Sequence, residues 1–285
     1  MNHMKEESLT SVRIRRAIAY VVLVLVTFLC LFWFYVLFIN ATRSHAELTS
    51  GFTPLPSSAL ARNWQNLLKG TLPVFGGMKN SLIVAGLSAL LSTYFSTMTA
   101  FAIHAYDFRF KKAIFTFILM IMMIPTQVTA LGFVKLVARM KLEDSFIPLI
   151  VPTIAAPVTF FYLKQYMDSV LSMSLVEAAR IDGASEPHIF NFIVLPLMKP
   201  AIAVQAIFTF VSSWNNYFIP ALILHDDKKK TLPILIAQLR SADWLKFDLG
   251  QVYVMIAFSI FPVIIIYLLL SRNIVGGTMM GGVKE

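Results

Sequence analysis

The chain has one cysteine in 285 residues, Cys30, so it holds no internal disulfide and no second thiol for a CxxC metal or redox site. Charge is scarce as well. Asp, Glu, Lys and Arg make up 14% of the residues, where a soluble domain has about 25%. The five histidines, His3, His45, His104, His188 and His225, share no metal-ligand spacing, so no metal is expected. No GxxxxGK[ST] phosphate loop occurs, and the chain is therefore not expected to bind ATP itself. A net charge of +9 could suggest nucleic acid, but Lys and Arg also flank membrane helices and no aromatic-basic RNA-binding motif accompanies them. What is abundant is apolar surface: 58% hydrophobic residues and a mean hydropathy of +0.73 mark a membrane protein.

A helix crossing the hydrocarbon core needs about 20 largely apolar residues. Six segments qualify, 17–40, 80–103, 113–134, 145–163, 200–224 and 249–271, and none contains Asp, Glu, Lys, Arg or His. The sequence thus predicts an all-α polytopic membrane protein with six transmembrane helices. Because intramembrane charges usually mark ion or proton relays, their absence argues against a proton-coupled carrier. The first apolar run, Ala17 to Ile39, exceeds a signal-peptide core and reads as a retained helix. Pro148, Pro152 and Pro157 predict kinks in the fourth span, and the apolar run Thr231–Leu239 is too short to cross, so it reads as re-entrant or interfacial. The basic residues divide evenly between the two sides, but Arg13, Arg15 and Arg16 abut the first span and Arg109, Lys111 and Lys112 crowd one short turn. That proximity places both termini in the cytoplasm. The resulting layout is a cytoplasmic N-terminus at 1–16, a first helix at 17–40, an external loop at 41–79, a core at 80–272 and a cytoplasmic tail at 273–285. The external loop carries Pro54, Pro56, Pro73, Gly76 and Gly77 and is expected not to fold independently.

Within the core, the inner loop 164–199 is the most informative stretch. Ser174 precedes Glu177 by three residues, the spacing of a capping box, and predicts a helix start. The helix runs through Ala178, Ala179, Arg180 and Ile181 to Gly183, which can take the left-handed conformation that ends a helix. Ser185, Glu186 and Pro187 start a second helix, and Pro196 and Pro200 are expected to mark where the fifth span begins. A helix of about two turns is not stable alone. It either lies against the protein's own surface or docks into a partner.

Glu177–Ala178–Ala179, Asp182–Gly183–Ala184, Phe190, Ile193, Leu195–Pro196 and Pro200 resemble the EAA loop of permease subunits in binding-protein-dependent ABC importers. Ser213–Trp214–Asn215–Asn216–Tyr217–Phe218, followed by Pro220, is similar to the fifth-helix signature of the second permease in maltose-type carbohydrate importers, although Asn216 stands where that pattern has an acid. Asn80–Ser81, Thr231–Leu232–Pro233 and the tail Gly277, Gly281, Val283 and Lys284 extend the resemblance over roughly 50–285.

The resemblance implies a type I ABC importer permease fold and a share in a pathway for a sugar or oligosaccharide. It implies a second permease subunit in a heterodimer, two ATPase subunits that bind ATP and magnesium, and an external solute-binding protein. This chain would then be a non-catalytic membrane subunit with no cofactor of its own. Glu177, Ala178, Ala179, Asp182, Gly183, Ala184, Leu195 and Pro196 would couple it to an ATPase, with residues 276–285 as a second contact. Candidates for the substrate path are Gln127, Trp214, Asn215 and Asn216, with Gln205 and Tyr217 as further uncharged groups. For Gln127 the competing role is repair of backbone bonds beside Pro125; for the asparagines it is an interhelical hydrogen bond. The run Asp226–Asp227–Lys228–Lys229–Lys230 is either a solvated outer loop or a contact for the binding protein. Two other readings are a permease for amino acids, peptides or metals, and a polytopic membrane enzyme. The enzyme would need paired acid and base groups, and Asp107, Asp168 and Asp248 lie far apart in the chain.

Overall fold

A computed structural model describes residues 2–241 and 247–278, with side chains described for 11–241 and 247–274 except Thr126. All regular elements among them are helical. In chain order these are α1 (Asn2–Ala41), α2 (His45–Thr49), α3 (Leu60–Lys69), α4 (Val74–Ala105), α5 (Lys111–Ile121), α6 (Thr126–Arg139), α7 (Ile147–Ile150), α8 (Pro157–Val170), α9 (Met173–Ile181), α10 (Glu186–His188), α11 (Leu195–Trp214), α12 (Phe218–Ile223), α13 (Leu232–Arg240) and α14 (Leu249–Thr278). The chain divides into two compact units, one of Met1–Thr71 with Leu239–Phe258, the other of Leu72–Gln238 with Ser259–Glu285.

In the first unit α1 is apolar and exposed along most of its length, as a helix surrounded by lipid or by another subunit must be. The segment after it is more ordered than its turn-rich composition predicts. Ser44 and Glu47 form a capping box at the start of α2: the Ser44 amide donates to Glu47 Oε2 at 2.7 Å and the Glu47 amide donates to Ser44 Oγ. Ser57 Oγ donates to Glu47 Oε1 at 2.7 Å. Buried Asn63 donates to the carbonyls of Ala41 and Arg43 at 3.1 and 2.8 Å, tying α3 to the end of α1. These polar side chains satisfy the backbone groups that a turn leaves open, which is why the segment holds a fixed shape.

The second unit is built on α4, half of whose 32 residues are buried. Ser81, Ala85, Ser88, Ala89, Ser92, Ser96 and Ala100 recur at three- and four-residue spacing, so one side of the helix carries little bulk. α8 and α11 pack most extensively against it. Lipid is as apolar as leucine, and close packing of this kind replaces the hydrophobic drive that holds soluble helices together. Ser92 and Thr159 approach to 3.5 Å between hydroxyl oxygens across the α4–α8 contact. At one end of the unit Val176 and Ala179 of α9 pack with Phe101, Leu163, Met167, Ile189 and Phe190; at the other, Val84 packs with Val137, Leu149, Ile150, Ile223 and Ile234.

Among the described residues, five helical stretches are long and apolar enough to cross a membrane: Ser11–Ala41, Val74–Ala105, Ile147–Val170, Glu186–Trp214 and Leu249–Ile274. The expected third span, 113–134, is two helices, α5 and α6, with a tight turn between them whose amides bond three residues back before Pro125. Pro125 takes an extended ψ of 132° as the N-cap of α6, so the helix cannot run through it. The fourth span is jointed as its prolines predict: α7 passes into a 3₁₀ turn at Val151–Ile154, and α8 restarts at Pro157.

The fifth span differs most from expectation. Helix begins at Glu186 and runs to Trp214 without a break, so Pro196 and Pro200 lie inside it rather than where it starts. A π-helical segment, Ile189–Val194, precedes Pro196. There the Leu195 amide bonds to the Phe190 carbonyl five residues back, and wider turns of this kind leave room for a proline ring that a regular α-helix would crowd. The helix then stops at Asn215, and α12 follows as a separate piece where one span to 224 was expected.

Two consequences can be measured. A Cβ added at Gly250 would sit 2.7 Å from the side-chain amide of Asn63, so Gly250→Ala forces Asn63 off its two carbonyls. A loss of about 1–3 kcal/mol is expected, read as a lowered unfolding midpoint in detergent. Glu47 is held at a pKa of about 2, below the ordinary 4.5 of a glutamate, first by the Ser44 hydroxyl, then by the Ser44 amide and Ser57. A depressed carboxyl contributes stability above its unfolded pKa and loses it as pH falls through the folded value. The protection of the amides over residues 45–50, measured relative to their intrinsic exchange rates at each pH, should therefore be full at pH 5 and above and fall as pH drops from about 4.5 toward 2.

Candidate functional site

The elbow that follows α8 is built from local rules. α8 ends at Val170, Leu171 and Ser172 turn extended, and Ser172 rather than Ser174 is the N-cap of α9. The capping box expected between Ser174 and Glu177 is therefore not formed. Ser174 already lies inside the helix, and its hydroxyl meets that of Ser172 at 2.6 Å. An N-cap needs an extended backbone, and the chain supplies that at Ser172, where ψ is 136°. The other end follows prediction. Gly183 has φ +80°, its amide bonds to Arg180, and the Ala184 amide bonds to Ala179, the paired bonds of a Schellman ending.

This geometry sorts the candidate residues. Val176 and Ala179 face inward, and they hold down a helix too short to persist alone. Leu175, Glu177, Ala178, Ile181, Asp182 and Gly183 face outward, Ile181 at 86% exposure. Ala184 and Leu195 are half-buried and Pro196 is exposed in the first turn of α11. The outward face is apolar in the middle, with Glu177 and Asp182 flanking it and no side-chain partner for either among the described residues.

Three residues lock this elbow to the rest of the unit. Arg180 Nε donates to Glu186 Oε1 at 2.7 Å and Nη2 donates to Oε2 at 3.3 Å, a forked pair bridging α9 and α10. The Tyr106 hydroxyl, just beyond α4, donates to Glu186 Oε2, and the Arg180 guanidinium lies 5.3 Å from the Tyr106 ring centre. The Glu186 carboxylate holds Arg180 above its usual pKa, and Tyr106 is raised by burial first and by Glu186 second. Nearby, His104 Nδ1 and Lys164 Nζ both meet Asp168, at 2.7 and 2.5 Å, and join the ends of α4 and α8. Sequence reading had Arg180 and Glu186 as helix residues only. A contact across a turn, completed by a tyrosine 80 positions away, carries no local pattern.

The candidates for the path are scattered. Gln127 is exposed in the first turn of α6, beside the break at Pro125. Asn215, half-buried Asn216 and exposed Tyr217 gather at the break between α11 and α12. Trp214 is not with them: it is 3% exposed and stacks on Phe210 at 5.6 Å. Gln205 is buried on α11. At the opposite end of the unit from α9, Asn80 donates to the carbonyls of Lys228 and Lys230 at 2.9 Å each. Asp144 receives the amides of His225 and Asp226, which hold its carboxyl below the usual range. The lysine run is thus a pinned loop, with Lys230 paired to Asp227 and Lys229 over the Phe146 ring. The tail contact expected at 276–285 reaches beyond the described residues.

Residues 92–278 match the family described as binding-protein-dependent transport system inner membrane component. The chain belongs to this family. As a family member it is a non-catalytic, multi-pass permease subunit that works with ATPase and binding-protein partners. It is 36% identical over 225 residues to the arabinooligosaccharides transport system permease protein AraQ of Bacillus subtilis, covering 78% of each chain. It is also 32% identical over 253 residues to the sn-glycerol-3-phosphate transport system permease protein UgpE of Salmonella typhimurium, covering 87% of this chain and 90% of the other. Its fold matches a chain in the crystal structure of a bacterial ABC transporter involved in the import of the acidic polysaccharide alginate, with TM-score 0.77, 23% identity, and coverage of 91% and 96%.

Two substitutions test the elbow of this permease. Nothing lies within 4 Å of a Cβ added at Gly183, so Gly183→Ala strains only the backbone, by about 1–2 kcal/mol. It should loosen the amides of 182–184 in hydrogen exchange without lowering the global midpoint. Glu186→Gln removes the charge that Arg180 and Tyr106 share, and ATP turnover of the assembled importer should persist while uptake per ATP falls severalfold.

Proposed function

We propose that this chain forms half of the translocation pathway of a saccharide importer and receives the stroke of an ATPase subunit through α9. The observation that carries the reading is the outward face Leu175, Glu177, Ala178, Ile181, Asp182 and Gly183, presented by a helix whose other side is fixed. A face of that shape suits a cleft in a partner: apolar contact at Leu175, Ala178 and Ile181, acids at the rim. Because Arg180, Glu186 and Tyr106 join α9 to α11 and α4, displacement of α9 moves those helices as one body. Leu195 and Pro196 transmit it into the span. Two such ATPase subunits would hold ATP and magnesium, which this chain does not.

The partner permease is a different chain, the pair forming a heterodimer with six spans contributed here. α5 and α6 together count as one of them, and both termini lie in the cytoplasm. Gln127, Asn215 and Asn216 stand at the helix breaks where uncharged groups are free to meet a sugar, and Trp214 serves packing instead. Arabinooligosaccharides in the name of one relative support the saccharide class. The pinned Lys228–Lys230 loop suits contact with the external binding protein.

The test is purification of the importer from its native membrane, wild type beside Gly183→Asp. Wild type should bring down an ATPase and a second permease, and its ATP hydrolysis should rise when saccharide-loaded binding protein is added. Gly183→Asp should insert and fold yet lose the ATPase. Retention of the ATPase and of full uptake by Gly183→Asp would remove α9 from the coupling role.

A further inference from the structure

Both ends of α9 are held from the end of one helix. At its exit, Tyr106 donates to Glu186, which also carries Arg180. At its entrance stands His104, in the last turn of α4. His104 Nδ1 lies 2.7 Å from Asp168 Oδ1 on α8, and its Nε2 lies 3.1 Å from the carbonyl oxygen of Leu171. Leu171 is where α8 stops and the chain turns extended toward Ser172, the N-cap of α9. The imidazole, 13% exposed, thus ties α4 to the linker from which α9 starts.

Both partners of this ring are acceptors. A carboxylate oxygen and a carbonyl oxygen each require an N–H, and a neutral imidazole has only one. With the proton on Nδ1, the ring would turn a lone pair on Leu171; with it on Nε2, a lone pair on Asp168. Only the imidazolium donates to both. Asp168 serves it without giving up Lys164, whose Nζ lies 2.5 Å from Oδ1 and 2.6 Å from Oδ2, because a carboxylate offers about four acceptor sites. The elements packed around this end of α4 are α5, α8, α9 and the start of α11. Their other charged groups are paired elsewhere or exposed: Arg180 meets Glu186 and Lys111 meets Asp107, while Lys112, Glu177 and Lys199 are exposed. His188, on α10, is exposed and stacks on Phe192. Loss of the His104 proton therefore leaves Asp168 paired with Lys164 and undoes a tether of the linker.

We propose that His104 is a positioning residue of the elbow: protonated, it pins the α8–α9 linker to α4, and on losing its proton it frees that linker and weakens the passage of α9's displacement into the core. This rests on the coupling role proposed for α9 and adds a pH response to it. Histidine is the side chain that changes charge between about pH 5 and 8. The tether is complete at the acid end of that range and is lost as pH rises. The clamp at the other end of α9, formed by Arg180, Glu186 and Tyr106, contains no histidine and holds throughout. Coupling is therefore tightest when the α9 side of the membrane is acidic.

The test uses the complete importer in proteoliposomes, with its binding protein purified together with the solute it carries. Hydrogen exchange over residues 171–175, taken relative to intrinsic rates, reports the linker, because the Leu171 amide bonds to Met167 and the Leu175 amide to Ser172. From about pH 5.5 to about pH 8.5 wild type should lose about fivefold in protection there, the factor that corresponds to about 1 kcal/mol for one hydrogen bond. Leu163 and Met167, inside α8, should keep theirs. The stimulation of ATP hydrolysis by the loaded binding protein, divided by the basal rate, should fall over the same range. His104→Gln should show low protection and low stimulation at every pH. His104→Arg, a cation throughout, should keep more of both with a flat profile, and His188→Gln should keep the wild-type profile. A flat wild-type profile, one that His104→Gln leaves as it was, or one that His188→Gln abolishes would overturn the proposal. So would a linker that loosens with no change in stimulation. Each of these results leaves α9 as the coupling helix, whose own failure is read from Gly183→Asp.

Discussion

The packing of the larger unit depends on the absence of bulk along one side of α4. In hydrocarbon, helices gain nothing by hiding apolar surface from lipid, so what holds them is the number of atoms they bring into contact. Serines and alanines at Ser81, Ala85, Ser88, Ala89, Ser92, Ser96 and Ala100 let α8 and α11 come close enough for that. Those two helices carry the elbow. Larger side chains along this stripe would move α8 and α11 together, and with them the elements that depend on their spacing.

Against that close-packed centre, the other elements are jointed. Proline and its neighbours divide the apolar segments at Pro125 and Pro157, and the span that ends at Trp214 resumes only as α12. Non-helical backbone at membrane depth survives only where protein or an aqueous cavity supplies its hydrogen bonds. On the function proposed above, the joints would face the partner permease or the pathway rather than lipid. The elbow is the opposite case: α9, too short to stand alone, is held by Val176 and Ala179 beneath and by the Arg180–Glu186–Tyr106 network at the turn into the next helix. On the function proposed above, a rigid elbow on a jointed body would pass on a partner's displacement without absorbing it.

Much of the elbow was legible in the sequence. Gly183 as the left-handed ending of α9, and Ser185 with Pro187 as the start of the next helix, follow from rules that act over a few residues. The S-x-x-E pattern was legible but ambiguous. It occurs at Ser44–Glu47, where it forms the cap, and at Ser174–Glu177, where it does not. The difference lies in where the preceding chain turns extended, and for α9 the end of α8 sets that point. The continuous helix from Glu186 through Pro196 and Pro200 was hidden for a related reason, since a π segment that relieves a proline has no residue signature of its own.

Composition and pattern by themselves determined that the chain is helical and membrane-spanning, that it has no phosphate loop of its own, and where its elbow bends. These are properties of single segments, set by transfer of apolar side chains and by local backbone sterics. Only the tertiary structure decided which face of α9 is free, that Trp214 packs inward while Asn215 and Asn216 do not, and that Tyr106 reaches Glu186. It likewise decided that His104 meets both Asp168 and the Leu171 carbonyl. Each of these is a meeting of residues distant in the chain, and the energy of such a meeting exists only once α4 has brought its neighbours together.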